Sequence, residues 1–587
     1  MKNMHFDRTD RMPERTFIII SMTAIALFHI ILGVQGFDMC DEGWVLSGFQ
    51  QIFNDPKSIQ YLFLYYLSEY VGGVWDVLWG GCGIFGFRIL TAICITLSSY
   101  FVYKMLRPIV NRWCILAGLF LVYLCAGYGV MVFYHDYLTT LLSVGASSCM
   151  LKSLLRSDRK WIFASGIIIG INVFARLPNL SLSLLILCLI PYHIYKRDMT
   201  DTLRMLTSGV LGFAVGVVAV ILLMLFSGHY DIFTQAITDG MSAAGDSQST
   251  HNISEMFGRY LLGYARVAQN ALLIMLVPAL IWICRRKTIK KKSNLFLIGI
   301  IAAGIYLAML KFCGSNTSIL YATSTICCLG ILLSKPRRIE YVYLAFIVLI
   351  NMYALPLGSD YGIENMGEYC VYISGPLTVG VAWKWWEKQR SINCATKILL
   401  TVCAVTFIMF VARRGVFNIM SQCYFDEGFR WNKTELIDNP RATTFTTKKN
   451  CEQLNPMLKE LGKYVKEDDY LLCFQNIATV HFLTRTRPYL YNPWVWTYDP
   501  SNMERKFREA EAGHKELPVV VRDKSMLPKW YEYYPDWNNE NAEESYTHKN
   551  RKIILINRFL TRNGYKVVWE NEVFQILLPP QKTVLAE

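Results

Sequence analysis

Long apolar stretches separated by short polar segments occupy the first 412 residues of the chain. A bilayer core about 30 Å thick needs roughly 17 to 25 mostly apolar residues from each helix that crosses it. Thirteen stretches are candidates, near residues 17–35, 83–103, 113–133, 137–155, 161–175, 179–195, 205–227, 267–283, 295–312, 317–334, 341–356, 371–386 and 395–412. This pattern predicts a polytopic α-helical membrane protein with about 13 transmembrane helices.

From residue 413 to residue 587 the pattern changes to shorter segments with helix or strand periodicity. Amphipathic spacing predicts helices at 452–465 and 551–563, and short apolar runs predict strands at 470–474, 517–521, 565–569 and 573–578. A segment of roughly 175 residues is long enough to bury a core of its own. We therefore expect a transmembrane domain over residues 1–412 and an α/β domain over residues 413–587.

Composition supports the membrane assignment and limits what the net charge implies. The chain of 587 residues is 53% hydrophobic and only 18% charged, a combination that soluble proteins of this length do not show. The formal net charge is +14. No basic stripe with interleaved aromatic residues accompanies this excess, so nucleic acid is not an expected partner. The positive charges are instead expected to contact anionic membrane lipid.

Lysine and arginine residues are distributed unevenly between alternate loops. With the N-terminus taken as cytoplasmic, 27 of them fall in the inner segments and five in the short outer loops, namely Lys57, Arg176, Arg259, Arg266 and Lys311. The inner loops of membrane proteins carry such an excess. We therefore expect a multi-pass protein of the plasma (inner) membrane, with a cytoplasmic N-terminus and a periplasmic or extracellular C-terminal domain.

The two long outer loops are predicted at 36–82 and 228–266. The first opens with Asp38, Asp41 and Glu42, directly behind the first apolar run. Acidic side chains at a membrane face are energetically costly unless water, a partner charge or a substrate contacts them. Their position therefore favours a functional role over the alternative, in which they are simply solvated residues at the start of a loop. The second loop contains an amphipathic segment that is suited to a substrate gate at the interface.

Polar residues recur in three further outer loops. His135 and Asp136 lie in the short turn between the third and fourth spans, where Asp136 would also serve as a helix N-cap. Arg176 is the only basic residue at the outer end of the fifth and sixth spans, and it either snorkels to the interface or binds an anion such as phosphate. The loop before the twelfth span adds two acids, Asp360 and Glu364.

The 17 cysteines do not indicate a metal site. No CxxC pair and no Cys/His ligand spacing occurs, so the sequence assigns no metal ligand. Cys423 and Cys451 are both expected outside the membrane and are candidates for a disulfide, although spacing alone does not fix the pairing.

The layout and these residues together resemble the C-type (GT-C) superfamily of integral-membrane glycosyltransferases, especially the protein O-mannosyltransferase and lipid A aminoarabinose transferase branch. The resemblance matches the Asp-Glu pair of the first outer loop to Asp41 and Glu42, the acid of the second to Asp136, and the basic residue of the third to Arg176. His135 and the C-terminal domain depart from the pattern, which leaves the acceptor open.

The resemblance implies sugar transfer from a polyprenyl-phosphate donor to a hydroxyl group of a glycan, lipid or protein. Such a transfer needs a base for the acceptor proton and a cation for the departing phosphate. We expect Asp41 as the base and Arg176 on the phosphate, and a single base without a carboxylate nucleophile implies inversion. Glu42 and Asp136 are expected to position the acceptor or a divalent cation (Mg²⁺ or Mn²⁺), and no other cofactor is expected. The residues expected to contact substrates are His135, Asp38, Asp360 and Glu364, together with Arg176.

Two other classes compete with a glycosyltransferase. A transporter or flippase places charged groups near the bilayer midplane and often has repeated halves, whereas here the acids cluster outside and only Arg88 is clearly charged within a span. A polysaccharide ligase or polymerase also uses lipid-linked donors, but it predicts a long central outer loop with catalytic arginines. This chain has its large outer segment at the C-terminus instead.

Overall fold

The computed structural model describes residues 12–245, 253–283, 292–335, 338–359, 361–388, 393–421, 423, 426–513, 516–524 and 548–582. Within these residues a helical membrane part precedes an α/β domain. The helices of the membrane part are α1 (Glu14–Gly33), α2 (Asp41–Gln51), α3 (Tyr66–Trp79), α4 (Gly83–Leu106), α5 (Arg112–Cys125), α6 (His135–Arg156), α7 (Arg159–Asn172), α8 (Leu189–Lys196), α9 (Met199–Phe226), α10 (Tyr230–Gly245), α11 (Ile253–Ile283), α12 (Lys292–Leu310), α13 (Asn316–Leu333), α14 (Ile339–Ala354), α15 (Ile363–Cys370), α16 (Ser374–Lys388) and α17 (Cys394–Ser421).

Each of the thirteen predicted apolar stretches contains helical structure. Eight segments of the described residues are long and apolar enough to cross a membrane, namely Glu14–Gly33, Pro56–Leu106, His135–Arg156, Leu177–Lys196, Met199–Phe226, Met256–Ile283, Asn316–Leu333 and Cys394–Ser421. Three apolar helices are shorter, at Arg112–Cys125, Leu295–Leu310 and Ile339–Ala354. The protein is thus a multi-pass membrane protein, and the count of thirteen spans stays a prediction.

Helix ends differ from three predicted boundaries. The span predicted at 113–133 ends as a helix at Cys125, and beyond it the backbone N–H groups of Met131 and Val132 donate to Glu42 of the first outer loop. Position 413, the predicted domain boundary, lies inside α17, which continues to Ser421. The outer loop predicted at 228–266 contains the start of α11 at Ile253. Both sets of bounds stay predictions.

The α/β domain contains the four predicted strands and both predicted helices. Its helices are α18 (Lys448–Leu461), α19 (Thr479–Thr484), α20 (Pro500–Gly513) and α21 (His548–Arg562), and its strands are β1 (Lys433–Glu435), β2 (Thr446–Thr447), β3 (Tyr470–Phe474), β4 (Arg487–Pro488), β5 (Val519–Asp523), β6 (Lys566–Glu570) and β7 (Phe574–Leu578). β1 and β2 pair antiparallel, and the other five form one sheet in the order β4-β3-β5-β7-β6. β3 is parallel to β4 and β5, whereas β7 is antiparallel to β5 and β6.

Close packing between α7 and α9 sets the position of the loop that carries Arg176. A Cβ atom on Gly212 would lie 2.1 Å from the carbonyl oxygen of Phe163, and one on Gly216 would lie 2.3 Å from that of Ile167. Small residues four apart let two membrane helices approach to this distance. The end of α7, and with it the turn that begins at Val173, is therefore fixed against α9.

Candidate active site

Asp38 holds the start of helix α2. Its side chain is buried and accepts hydrogen bonds from the backbone N–H groups of Cys40 (2.8 Å) and Glu42 (2.9 Å). The first N–H groups of a helix have no partner within the helix, and a carboxylate satisfies them well. Burial, then the charges of Asp41 and Glu42, raises the pKa of Asp38 well above its usual range. Asp38 therefore acts on the backbone of the loop, and substrate contact by this residue stays a prediction.

Glu42 forms a buried ion pair. One carboxylate oxygen lies 2.6 Å from Nη2 of Arg88 in α4, and both side chains are almost fully buried. The other oxygen accepts hydrogen bonds from the backbone N–H groups of Met131 (2.8 Å) and Val132 (3.1 Å). The Glu42 carboxylate thus joins α2, α4 and the segment that leads into α6.

Arg88 completes this junction with its two Nη nitrogens. They also donate to three backbone carbonyls at the end of α1 and just beyond it, those of Gly33 (2.9 Å), Gln35 (3.1 Å) and Gly36 (2.8 Å). A planar guanidinium with several fixed donors suits such a task, because it satisfies several acceptors at once. We refer to Glu42 and Arg88 as the Glu42–Arg88 clamp.

Asp41 differs from its two acidic neighbours because it is partly exposed. Among the described residues, the Asp41 carboxylate accepts a hydrogen bond from the backbone N–H of Asp41 itself. Burial of part of the group, and then the charge of Glu42, raises the pKa of Asp41 to about 6. A carboxylate with a pKa near the working pH, and with no competing partner, has the properties of a general base.

His135 and Asp136 begin helix α6 and directly follow Tyr134. The His135 ring lies between the rings of Tyr65 and Tyr134, with both centroid distances 4.1 Å. Nε2 of His135 is 3.4 Å from Oδ1 of Asp136. Burial raises the pKa of Tyr134, and the charges of both Asp41 and Asp136 contribute, so the two acids face a common neighbour.

Arg176 lies next to this pair. Its guanidinium interacts electrostatically with both His135 and Asp136, and the side chain is only 4% exposed. Within the described part of the chain it donates to the backbone carbonyls of Leu355 (3.0 Å) and Leu357 (3.3 Å) and forms no ion pair. An arginine has five N–H donors, so this fork keeps donors for an anion. A side chain buried in this way does not snorkel to the interface.

The C-terminal domain covers the acidic segment. The indole N–H of Trp44 donates to Asn492 (3.1 Å), and the Cys40 thiol points to Asn476 at 3.7 Å. Thr479 at the start of α19 contacts the same segment, since a Cβ atom on Gly43 would lie 2.1 Å from its backbone nitrogen. Only glycine permits this approach. The candidate site is therefore built from both parts of the chain.

The remaining predicted site residues lie elsewhere. Glu364 in α15 pairs with Arg266 of α11 at 3.3 Å, and Asp360 lies outside the described residues.

Among the residues that the structure describes, no group of three or more His, Cys, Asp or Glu side chains is placed to hold a metal ion. The divalent cation stays a prediction, and no step is assigned to one. Cys423 and Cys451 are both free thiols, so the suggested disulfide is wrong.

Two charged residues near the site had no predicted role. Arg88 is visible in the sequence as a charge inside an apolar stretch, and this signal points to a buried partner. Glu368 in α15 gives no such signal, because it lies in a polar stretch of sequence. Its carboxylate accepts a hydrogen bond from the backbone N–H of Gly127, and burial, together with the nearby charge of Asp136, raises its pKa to about 7.

Comparison of the sequence with protein-family models and with curated proteins gives no match. Among solved structures, the chain is similar to the crystal structure of an Archaeoglobus fulgidus oligosaccharyltransferase complex with Zn and sulfate, at 11% identity and a TM-score of 0.46, over 86% of this chain and 68% of that chain. It is also similar to the oligosaccharyltransferase AglB from Archaeoglobus fulgidus in complex with an inhibitory peptide and a dolichol-phosphate, at 13% identity and a TM-score of 0.42, over 87% of this chain and 70% of that chain. At such low identities and TM-scores, the similarity assigns no substrate, acceptor or metal to this chain.

Proposed function

We propose that this protein is a GT-C glycosyltransferase, which moves a sugar from a polyprenyl-phosphate donor to an acceptor hydroxyl at the outer membrane face. Asp41 takes the proton of the acceptor hydroxyl while its oxygen attacks the anomeric carbon. The bond between that carbon and the phosphate oxygen breaks, and Arg176 stabilises the negative charge that collects on the leaving polyprenyl phosphate. A single displacement inverts the anomeric centre.

The observation that carries this proposal is the different use of the three neighbouring acids. Asp38 is occupied by backbone N–H groups and Glu42 by Arg88, whereas Asp41 is partly exposed and has a pKa of about 6. A general base has to be accessible and has to titrate near the working pH. Asp41 alone among the three is accessible, and its pKa lies near the working pH.

The position of Arg176 supports the donor half of the proposal. The buried Arg176 guanidinium donates hydrogen bonds only to neutral carbonyls within the described residues, although the Asp136 carboxylate lies in its electrostatic range. Its other N–H groups can donate to an anion. Arginine forks match phosphate oxygens in a bidentate manner. The finer assignments, including the O-mannosyltransferase or aminoarabinose transferase branch, hexose or pentose transfer and the nature of the acceptor, belong to this proposal as alternatives.

The test is transfer by the purified full-length protein from polyprenyl-phosphate sugars into lipid, glycan and peptide acceptors. Asp41→Asn keeps the size of the side chain but removes the base, so kcat should fall by about 10²-fold or more. Asp469→Asn, a change in the C-terminal domain away from Asp41, is the matched control and should keep the parent rate. Near-normal turnover by Asp41→Asn would remove this residue from the mechanism. Movement of intact donor across vesicles without sugar transfer would favour a flippase.

A further inference from the structure

The His135 imidazole is held rigidly between two tyrosine rings. Its centroid lies 4.1 Å from that of Tyr65, at an interplanar angle of 26°, and 4.1 Å from that of Tyr134, at 36°. The residue is 7% exposed. Aromatic contacts on both faces leave the ring edge, with its two nitrogens, as the part that can reach a ligand.

Two polar atoms at this place have no hydrogen-bond partner among the described residues. They are Nδ1 of His135 and Oδ1 of Asp136, and both are buried. A buried polar atom without a partner costs about 1 to 3 kcal/mol, so such atoms are uncommon unless a ligand satisfies them. The two side chains are neighbours, with His135 Nε2 lying 3.4 Å from Asp136 Oδ1. An imidazole nitrogen and a carboxylate oxygen suit hydroxyl groups, which both donate and accept hydrogen bonds.

The location of the two atoms narrows the identity of that ligand. Arg176 interacts electrostatically with both residues. Tyr134 contacts His135 and also lies in electrostatic range of Asp41. In the proposed reaction the phosphate lies at Arg176 and the attacked carbon lies near Asp41. The group between the phosphate and the acceptor oxygen is the transferred sugar.

We infer that His135 Nδ1 and Asp136 Oδ1 bind hydroxyl groups of the donor sugar and thereby select which sugar is transferred. This inference rests on the proposed function, because it requires a lipid-phosphate sugar as the donor. It gives His135 a chemical task that the family resemblance does not supply. It also separates two contributions to donor binding, since Arg176 contacts the phosphate and the His135–Asp136 pair contacts the sugar.

The experiment compares two kinds of lipid probe on the full-length protein. The first probe is bare polyprenyl phosphate, and the second is a set of polyprenyl-phosphate glucose, mannose, galactose and arabinose. Dissociation constants are measured for the parent, His135→Phe, Arg176→Gln and the matched control His193→Phe. His135→Phe keeps an aromatic ring between the tyrosines and removes both ring nitrogens, including the Nε2 that lies 3.4 Å from Asp136.

We expect the parent to bind one of the sugar-bearing lipids more tightly than bare polyprenyl phosphate. His135→Phe should weaken that lipid about tenfold to 100-fold, the effect of losing a buried hydrogen bond to a charged or polar partner, and should change binding of the bare phosphate by less than about twofold. Arg176→Gln should weaken both probes. His193→Phe should match the parent, because His193 lies in α8, where it contacts Thr202.

The contrary outcomes are distinguishable. Equal loss for both probes in His135→Phe, or no loss for either, overturns the inference and leaves the donor phosphate site intact. A parent protein that binds neither bare nor sugar-bearing lipid overturns the proposed function, and the inference with it. If His135→Phe does not fold, Asp136→Asn keeps the side-chain shape and has to show the same selective loss for the sugar-bearing lipid.

Discussion

Three acids close together in sequence acquire three different environments. Asp38 serves the backbone, Glu42 serves Arg88, and Asp41 remains accessible. The sequence identifies the group as functional, because acids at a membrane face need an explanation. It does not reveal which acid is committed to structure, since the partner of Glu42 lies 46 residues further along the chain.

The raised pKa of Asp41 predicts the pH dependence of transfer. A general base works only when it has lost its proton, and burial with the charge of Glu42 raises the pKa of Asp41 from its ordinary 3.8 to about 6. The kcat/KM value should therefore rise about tenfold per pH unit below pH 6 and level off above it. Profiles of kcat/KM between pH 4 and pH 8 test this, with donor and acceptor ionisation measured separately. If the kcat/KM profile instead levels off above about pH 4, a carboxylate with an ordinary pKa governs the reaction.

Helix α2 presents Asp41 because its first turn is fixed by different parts of the molecule. The Glu42–Arg88 clamp ties its first turn to α1, α4 and the segment before α6, and Thr479 contacts it at Gly43. Helix and strand periodicity predicts the elements well, as the agreement over Tyr470–Phe474 illustrates. It does not predict their contacts, because pairing between distant segments depends on shape and charge that no local pattern contains.

The clamp predicts a specific pattern of stability changes. Glu42→Gln leaves the Arg88 charge buried without its partner, which should lower the free energy of unfolding by about 3 to 5 kcal/mol. Arg88→Met should also destabilise, and the double variant should lose less than the two single losses added together. Thermal unfolding of the purified protein in detergent measures all three.

The control for the clamp is an exposed ion pair of the same type. Glu364→Gln breaks the pair with Arg266, whose side chain is 53% exposed, and should change the free energy of unfolding by less than about 1 kcal/mol. Additive losses in the clamp double variant would mean that Glu42 and Arg88 stabilise the protein independently of each other.

At the scale of the whole molecule, the proposed function needs the acidic segment and the C-terminal domain on the same, outer side. The 27-to-5 distribution of lysine and arginine predicts this orientation. A reporter that is active only outside the cytoplasm, fused after Glu587, should therefore be active, and the same reporter placed after Lys290 should be silent. The reverse result would place the candidate site in the cytoplasm and remove the basis for a lipid-linked donor at the outer face.

The contact between Cys40 and Asn476 also determines when the candidate site is completed during synthesis of the chain. The two residues are 436 positions apart in the chain. At a synthesis rate of about 5 to 20 residues per second, the acidic segment waits roughly 20 to 90 seconds for the residues that cover it. During that interval the Glu42–Arg88 clamp can form, but the C-terminal domain does not yet cover α2. The membrane helices are inserted first, and the surface on which chemistry is proposed is completed among the last events of biogenesis.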